Sequence, residues 1–173
     1  MQAIDLKGSQ ESHAFEEAIT RVKSMALIHE KIYQSDTLVN FDLKNYLESL
    51  TTEIIDTYSV GKKILLNVNS EKKDIGQKGI VPLSMLFNEL ISNSVKHGLK
   101  NIENGQITVN LKGLDNDYFQ LDYSDNGKWI EPNHSSFGRE LISSMTEQLE
   151  GTSTFSTDES GTHYSFKLKI IEE

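Results

Sequence analysis

The chain has 173 residues, a formal net charge of −9 and a hydrophobic fraction of 36%, which suits one good core and a small appendage. The absence of cysteine excludes disulfides, thiolate metal sites and cysteine nucleophiles, and it fits a reducing cytoplasm. No apolar run approaches about 20 residues, the first residues lack the apolar segment of a signal peptide, and the acidic balance disfavours nucleic acid and anionic membranes. We therefore expect no nucleic-acid partner and no membrane contact by this segment.

The first predicted element is a long helix over residues 14–35. Its apolar residues recur in steps of three and four, which is the seam of a helix that pairs in a bundle. The seam comprises Phe15, Ala18, Val22, Met25, His29 and Ile32. We interpret His29 as a packed bundle histidine. A helical partner is missing from this segment or is supplied by a second copy, so a homodimer through bundle helices is expected.

The next elements alternate between helical and strand periodicity. Asp42 is predicted to cap a second helix that runs to about Tyr58. The remaining predictions are strands over 63–69, 106–111, 118–123, 152–156 and 163–170, and helices over 81–98 and 139–149. This order indicates an α/β two-layer sandwich, in which a mixed sheet is covered by helices on one face and the first helix stands apart.

The helix over 81–98 carries the most informative polar residues. Pro82 is expected in its first turn, and Gly98 is expected as a left-handed cap. The apolar face comprises Leu83, Phe87, Leu90, Ile91 and Ser94, which should pack on the core. The polar face comprises Glu89, Asn93, Lys96 and His97. Such a set can hold a divalent metal together with phosphate oxygens, although a solvated helix face would show the same pattern.

Three short pieces follow this helix along the chain. Asp125 comes at a strand end with Gly127 two residues later, so a carboxylate could accept an exocyclic amine while the backbone approaches a flat ring; an ordinary turn is the alternative. Gly138 lies at a helix start after two serines, which suits a phosphate or a plain N-cap. Thr162 belongs to a hairpin-turn signal with Ser160 and Gly161 between the last two strands; the turn could approach the same region, and a plain hairpin turn is the alternative.

The order of these pieces resembles the ATP-binding domain of sensor histidine kinases, Hsp90-type chaperones, type II topoisomerases and MutL-type proteins, the Bergerat-type (GHKL, HATPase_c) fold. Residues 21–33 resemble the second bundle helix of the HisKA_2 and HWE-like histidine kinases, and residues 88–97 resemble their N-box. The resemblance covers the chain from about residue 14 onward. It implies domains over 1–36 (a partial dimerisation and phosphotransfer helix) and 37–173 (the ATP-binding catalytic domain).

The resemblance also implies roles for individual residues. Asn93 would coordinate Mg²⁺ that bridges the phosphates, and Glu89 would act around the metal; these two are the implied catalytic and metal residues. The implied nucleotide contacts are Lys96 and His97 on phosphate oxygens, Asp125 on the adenine amine, Gly127 and Thr162 beside the ring, and Gly138 beside the phosphates. Phosphoryl transfer needs mainly positioning and charge neutralisation, which these residue types supply.

The implied function is the catalytic part of a two-component sensor, which passes the ATP γ-phosphate to a histidine and then to a response-regulator receiver domain. The resemblance puts the accepting histidine on a helix upstream of this segment, so we expect the cytoplasmic kinase fragment of a longer sensor. Lys128 and Trp129 depart from the family pattern, which has another glycine after Gly127, and the segment 128–137 is short. The alternatives are a kinase-like scaffold without nucleotide binding and a serine kinase of the anti-sigma-factor type.

Overall fold

The computed structural model separates into two compact units, Met1–Asp36 and Thr37–Glu173. It describes residues 42–59, 63–71, 77–115, 117–129 and 137–171, together with Ile19 and Ala26, which are helical and exposed. The predicted bundle seam, His29 included, lies outside the described residues. Across the described ranges, no helix is both long and apolar enough to cross a bilayer.

The second unit contains one five-stranded mixed sheet in the order β1-β2-β3-β5-β4. The strands are β1 (Ile64–Ser70), β2 (Gly105–Gly113), β3 (Tyr118–Asp125), β4 (Thr152–Asp158) and β5 (Gly161–Lys169). The β1–β2 pair is parallel and the other three pairs are antiparallel. All five predicted strands are therefore present, each within a few residues of its expected bounds, and the predicted mixed α/β sheet is confirmed.

Three helices accompany the sheet: α1 (Leu43–Tyr58), α2 (Gln77–Asn93) and α3 (Phe137–Gln148). Asp42 caps α1 as predicted, because its carboxylate accepts the Asn45 backbone N–H at 3.1 Å. A π-helical turn, Ser94–Gly98, continues directly from α2. It closes with the Leu99 N–H donating to the Ser94 carbonyl at 2.7 Å, a five-residue step.

One face of the sheet forms the core with the helices. Alternate residues of β3 and β5 are buried, and the residues between them are intermediate or exposed, as the two-residue period of a strand requires. α1 contacts both α2 and β1, and α3 contacts both α2 and β4. The predicted apolar face of α2 packs into this core, with Leu83, Phe87, Leu90, Ile91 and Ser94 all buried.

Two predictions about the ends of the central helix are wrong. α2 begins at Gln77, so Pro82 lies inside the helix and not in its first turn; without an N–H it cannot donate to the Lys78 carbonyl four residues earlier. Gly98 is not a left-handed cap either. Among the described glycines a positive φ, 135°, occurs at Gly161. Gly98 instead ends the π turn. A small residue is required there because the Trp129 side chain packs closely against it, and not because its backbone φ is positive.

Candidate functional site

The site is built around the carboxylate of Asp125, the last residue of β3. The strand alternation turns this side chain toward the helices, and only 3% of the residue is exposed. In the sheet it lies between Ile107 on β2 and Thr162 on β5. Its Oδ1 accepts the Gly127 backbone N–H at 2.8 Å. Its Oδ2 accepts the Ser94 hydroxyl and the Trp129 indole N–H, the latter at 2.8 Å.

A pair of buried hydroxyls supports the carboxylate from the helix side. Ser94 begins the π turn, and its Oγ lies 2.6 Å from the Tyr123 hydroxyl. Ser94 donates to Asp125, and the Tyr123 hydroxyl also donates to the Leu90 carbonyl at 3.3 Å. Burial raises the pKa of Tyr123 well above its ordinary value, so its phenol remains a protonated donor. The two hydroxyls therefore form a chain that ends on the carboxylate.

Burial and hydrogen bonding act in opposite directions on Asp125. Desolvation is the larger effect and raises the pKa of the carboxyl, whereas the bonds from Ser94, Gly127 and Trp129 favour the charged form and lower it. The resulting pKa lies above the ordinary value of 3.8. A buried carboxylate with three donors is an acceptor held in one position, which is the property that recognition of an N–H group requires.

The turn after β3 joins the sheet to the end of the central helix. Asn126 is tied to β2, since its side chain accepts the Gln106 N–H at 2.8 Å and donates to the Asn104 carbonyl at 2.9 Å. Gly127 contacts the backbone of Gly98 so closely that an added Cβ would lie 2.2 Å from the Gly98 oxygen. The turn predicted as an alternative is therefore real, and it also brings the Asp125 site against the π turn.

Thr162 and Trp129 complete the site on the β5 side. The Thr162 hydroxyl donates to the Gly127 carbonyl at 3.0 Å and accepts the Trp129 backbone N–H at 3.2 Å. The Trp129 ring packs beside Tyr164 and Phe155, with centroid separations of 5.5 and 6.2 Å. Thr162 thus contacts the segment that follows Asp125.

The polar residues of the central helix differ in their exposure. Glu89 is completely buried, Asn93 and Lys96 are half-buried, and His97 is exposed. The Lys96 ammonium lies 4.5 Å from the centroid of the Tyr58 ring at the end of α1. Because Lys96 and His97 lie in the π turn, the i, i+4 spacing of an α-helix does not describe their directions relative to Glu89 and Asn93.

Gly138 is the second residue of α3 and is buried, so it lies at a helix start as predicted. The structure joins Asp125, Gly127 and Thr162 into one contact network.

Sequence reasoning missed three members of the network: Ser94, Tyr123 and Trp129. Ser94 was assigned to the apolar face of α2, although a hydroxyl in a core stripe signals a buried polar partner. Trp129 is visible in the sequence as a departure from the family pattern. A large aromatic residue in place of an expected glycine signals a side chain that needs packing partners of its own.

The possible metal ligands suit a metal ion that is bound partly by a nucleotide better than one that is held by protein side chains alone. Within the described ranges, no group of three or more His, Asp or Glu side chains could hold a metal ion. Mg²⁺ is commonly bound by one or two protein oxygens together with phosphates and water. Glu89 and Asn93 carry oxygens of this kind, the first completely buried and the second half-buried, and the buried carboxylate of Asp125 is an acceptor suited to an amine.

Comparison with known proteins gives a family match over the first third of the chain and a shared fold. Residues 1–58 match the HisKA_2 model, described as a histidine kinase. No curated protein matches the chain. The match ends at Tyr58, the last residue of α1.

Solved histidine kinases share the fold. The histidine kinase domain of the blue-light activated kinase EL346 from Erythrobacter litoralis is 17% identical, with a TM-score of 0.71 over 87% of this chain and 73% of that chain. A longer EL346 structure is 16% identical with a TM-score of 0.75, and this chain covers 50% of its length. The catalytic domain of histidine kinase ThkA is 14% identical with a TM-score of 0.59, over 77% of this chain and 96% of that chain.

Proposed function

We propose that the chain is part of a sensor histidine kinase and that residues 37–173 bind ATP and supply the catalytic part of a two-component sensor. The match over residues 1–58 and the shared fold support this proposal. The observation that carries this proposal is the Asp125 carboxylate. It is 3% exposed, held by three donors, and already accepts an N–H from a flat aromatic ring. An adenine amine presents the same chemistry.

The phosphate end of the nucleotide is assigned to the central helix and to the start of α3. Asn93 and Glu89 would hold Mg²⁺ with their oxygens, and the bound ion would neutralise phosphate charge. Lys96 and His97 would add positive charge beside the phosphates, and Gly138 would leave space for them at the start of α3. The protein contributes positioning, since phosphoryl transfer needs little covalent help from side chains.

The proposed reaction moves the γ-phosphate to a histidine on a bundle helix, and a response-regulator receiver domain then accepts the phosphate. The proposal includes a homodimer formed through bundle helices and a cytoplasmic location of this segment. The HisKA_2 match supports the bundle part of this proposal and disfavours the serine kinase alternative. A scaffold without nucleotide binding remains the second outcome of the test below.

The test is calorimetric titration of the chain with MgATP and MgADP, alongside Asn93→Ala. We expect binding with a Kd of about 1 mM or tighter and a loss of about tenfold or more in Asn93→Ala, the scale of an interaction with a charged group. Asn101→Ala is the matched control, because Asn101 is an exposed turn residue outside the site. Equal affinity in the two variants would contradict the role of Asn93.

A further inference from the structure

The indole of Trp129 occupies the donor position that the proposed function gives to the adenine amine. Its Nε1 lies 2.8 Å from Asp125 Oδ2. The other carboxylate oxygen is already bonded to the Gly127 N–H at 2.8 Å, and Oδ2 also accepts the Ser94 hydroxyl. The protein therefore supplies its own N–H donor to the acceptor on which nucleotide recognition would depend.

The indole is half-buried and has neighbours on several sides, which distinguishes it from a side chain that lies on the surface by chance. On one side is Gly98, where an added Cβ would lie 2.7 Å from Trp129 Cδ1 and 2.8 Å from Nε1. On another side are the rings of Tyr164 and Phe155. The backbone N–H of Trp129 is bonded to Thr162. The ring is thus held by the π turn, by β4 and β5, and by the carboxylate.

An indole and an adenine are both flat, bicyclic rings that carry an N–H donor at the edge. A second ring of this size cannot occupy the same volume. The indole N–H already donates to Asp125 Oδ2 from the side that an adenine amine would approach. We propose that Trp129 is an internal competitor of the adenine ring, so that a nucleotide binds this chain only when the indole leaves Asp125. This inference rests on the proposed function, because it concerns the occupancy of that same site.

The competition predicts a measurable reduction of nucleotide affinity. When the competent state is a fraction of the population, the apparent Kd rises by the inverse of that fraction. The indole bond to a buried carboxylate is charge-assisted, and such a bond is strong enough to hold the open fraction at about one tenth or lower. Removal of the indole should then strengthen MgATP binding by about tenfold or more.

The experiment compares the wild-type chain, Trp129→Ala and Trp129→Phe by calorimetric titration with MgATP. We expect the tightest binding in Trp129→Ala and an intermediate affinity in Trp129→Phe, which keeps a ring but has no N–H. Leu65→Ala is the matched control, since Leu65 is a large apolar residue on β1 with 55% of its surface exposed, and it should bind like the wild type. Circular dichroism of each variant checks that it is folded.

A second readout uses the intrinsic fluorescence of the wild type, because Trp129 is the one tryptophan in the sequence. Saturating MgATP should shift its emission to longer wavelength and make it more accessible to acrylamide, as the indole moves into water. Equal or weaker binding by Trp129→Ala, or an unchanged emission at saturation, would overturn the inference while leaving the proposed function intact. If the wild type and both Trp129 variants bind no nucleotide, the proposed function itself fails.

Discussion

At the scale of single residues, Asp125 shows how a buried carboxylate is held by hydrogen-bond donors. Removal of a carboxylate from water is costly unless donors replace the lost hydration. Ser94, Gly127 and Trp129 provide these donors from the π turn, the turn after β3 and the segment that follows it. The carboxylate is consequently held in place, but its desolvation is only partly offset, because its pKa remains raised.

The raised pKa of Asp125 predicts the sign of a pH effect on stability. Between the ordinary value of 3.8 and the raised folded value, the folded state binds more protons than the unfolded state. The contribution of Asp125 to the free energy of unfolding therefore increases as pH falls through this window and is lost as pH rises through it. Asp125→Asn has no such titration, so the melting temperature of the wild type relative to this variant should increase between about pH 7 and about pH 4.

Thermal melts of the two proteins at matched pH values test this prediction. Other acidic groups titrate equally in both proteins and cancel in the difference. Asp158 is one of them: the Ser160 hydroxyl holds its pKa below the ordinary value, so its own contribution is lost as pH falls. If the difference in melting temperature between the wild type and Asp125→Asn stays constant or reverses over this pH range, Asp125 is not desolvated in the folded state.

At the scale of elements, the π turn is the feature that brings α2 to the site. It starts at Ser94, which reaches Asp125, and ends at Gly98, which contacts both Gly127 and Trp129. One extra residue in a helical turn changes the direction of the side chains that follow, and such turns are frequent at functional sites. The departure from α-helical geometry is therefore placed where the helix meets the site.

The contact between the π turn and Trp129 predicts a coupled pair of substitutions. Gly98→Ala would put a Cβ 2.7 Å from Trp129 Cδ1, and such overpacking costs about 1–3 kcal/mol of unfolding free energy. Trp129→Ala removes the obstructing ring, so in its background Gly98→Ala should cost less by at least about 0.5 kcal/mol, the scale of coupling between residues in contact. Chemical denaturation of the two single variants and the double variant measures this coupling.

Gly127→Ala serves as the comparison for this cycle. Its added Cβ would meet the backbone of Gly98 at 2.2 Å, and backbone atoms are not removed by Trp129→Ala. Its cost should therefore be the same with or without the tryptophan. If the unfolding free-energy costs of Gly98→Ala and Trp129→Ala are additive in the double variant, the indole does not lie against the π turn.

At the scale of the whole molecule, the chain separates into two compact units whose division follows Asp36. The HisKA_2 match extends past this division to the end of α1. α1 itself packs against α2 and β1, and its apolar residues Leu43, Leu47, Leu50, Ile54 and Ile55 are buried. Residues 37–173 therefore include a complete hydrophobic core around the sheet.

This organisation predicts that the proposed nucleotide-binding domain is independent of the first unit. A chain of residues 37–173 should unfold cooperatively and bind MgATP with an affinity within about twofold of the full chain, because domains with their own core fold alone. Thermal melts and calorimetric titration of the two proteins make the measurement. Loss of cooperative unfolding in the shorter chain would contradict the predicted boundary, and the full chain with Asn101→Ala controls for protein quality.

The helices and strands could be predicted from the sequence, because helix and strand periods are local properties of the chain. The apolar stripe of α2, the Asp42 cap and the alternation of β3 and β5 all predicted what the structure contains. The resemblance seen in the sequence agrees with the histidine kinase model that residues 1–58 match.

Tertiary structure alone decided what surrounds Asp125 and where α2 begins. Ser94 and Asp125 are 31 residues apart, and Thr162 and Gly127 are 35 apart, so no local pattern reports their contact. Three further features likewise depend on which elements pack together: the burial of Glu89, the position of Pro82 inside α2 and the close neighbours of Trp129. The physical reason is that sequence periodicity shows which face of a helix or strand is buried. Which side chains meet at a site depends on how the helices and strands pack together.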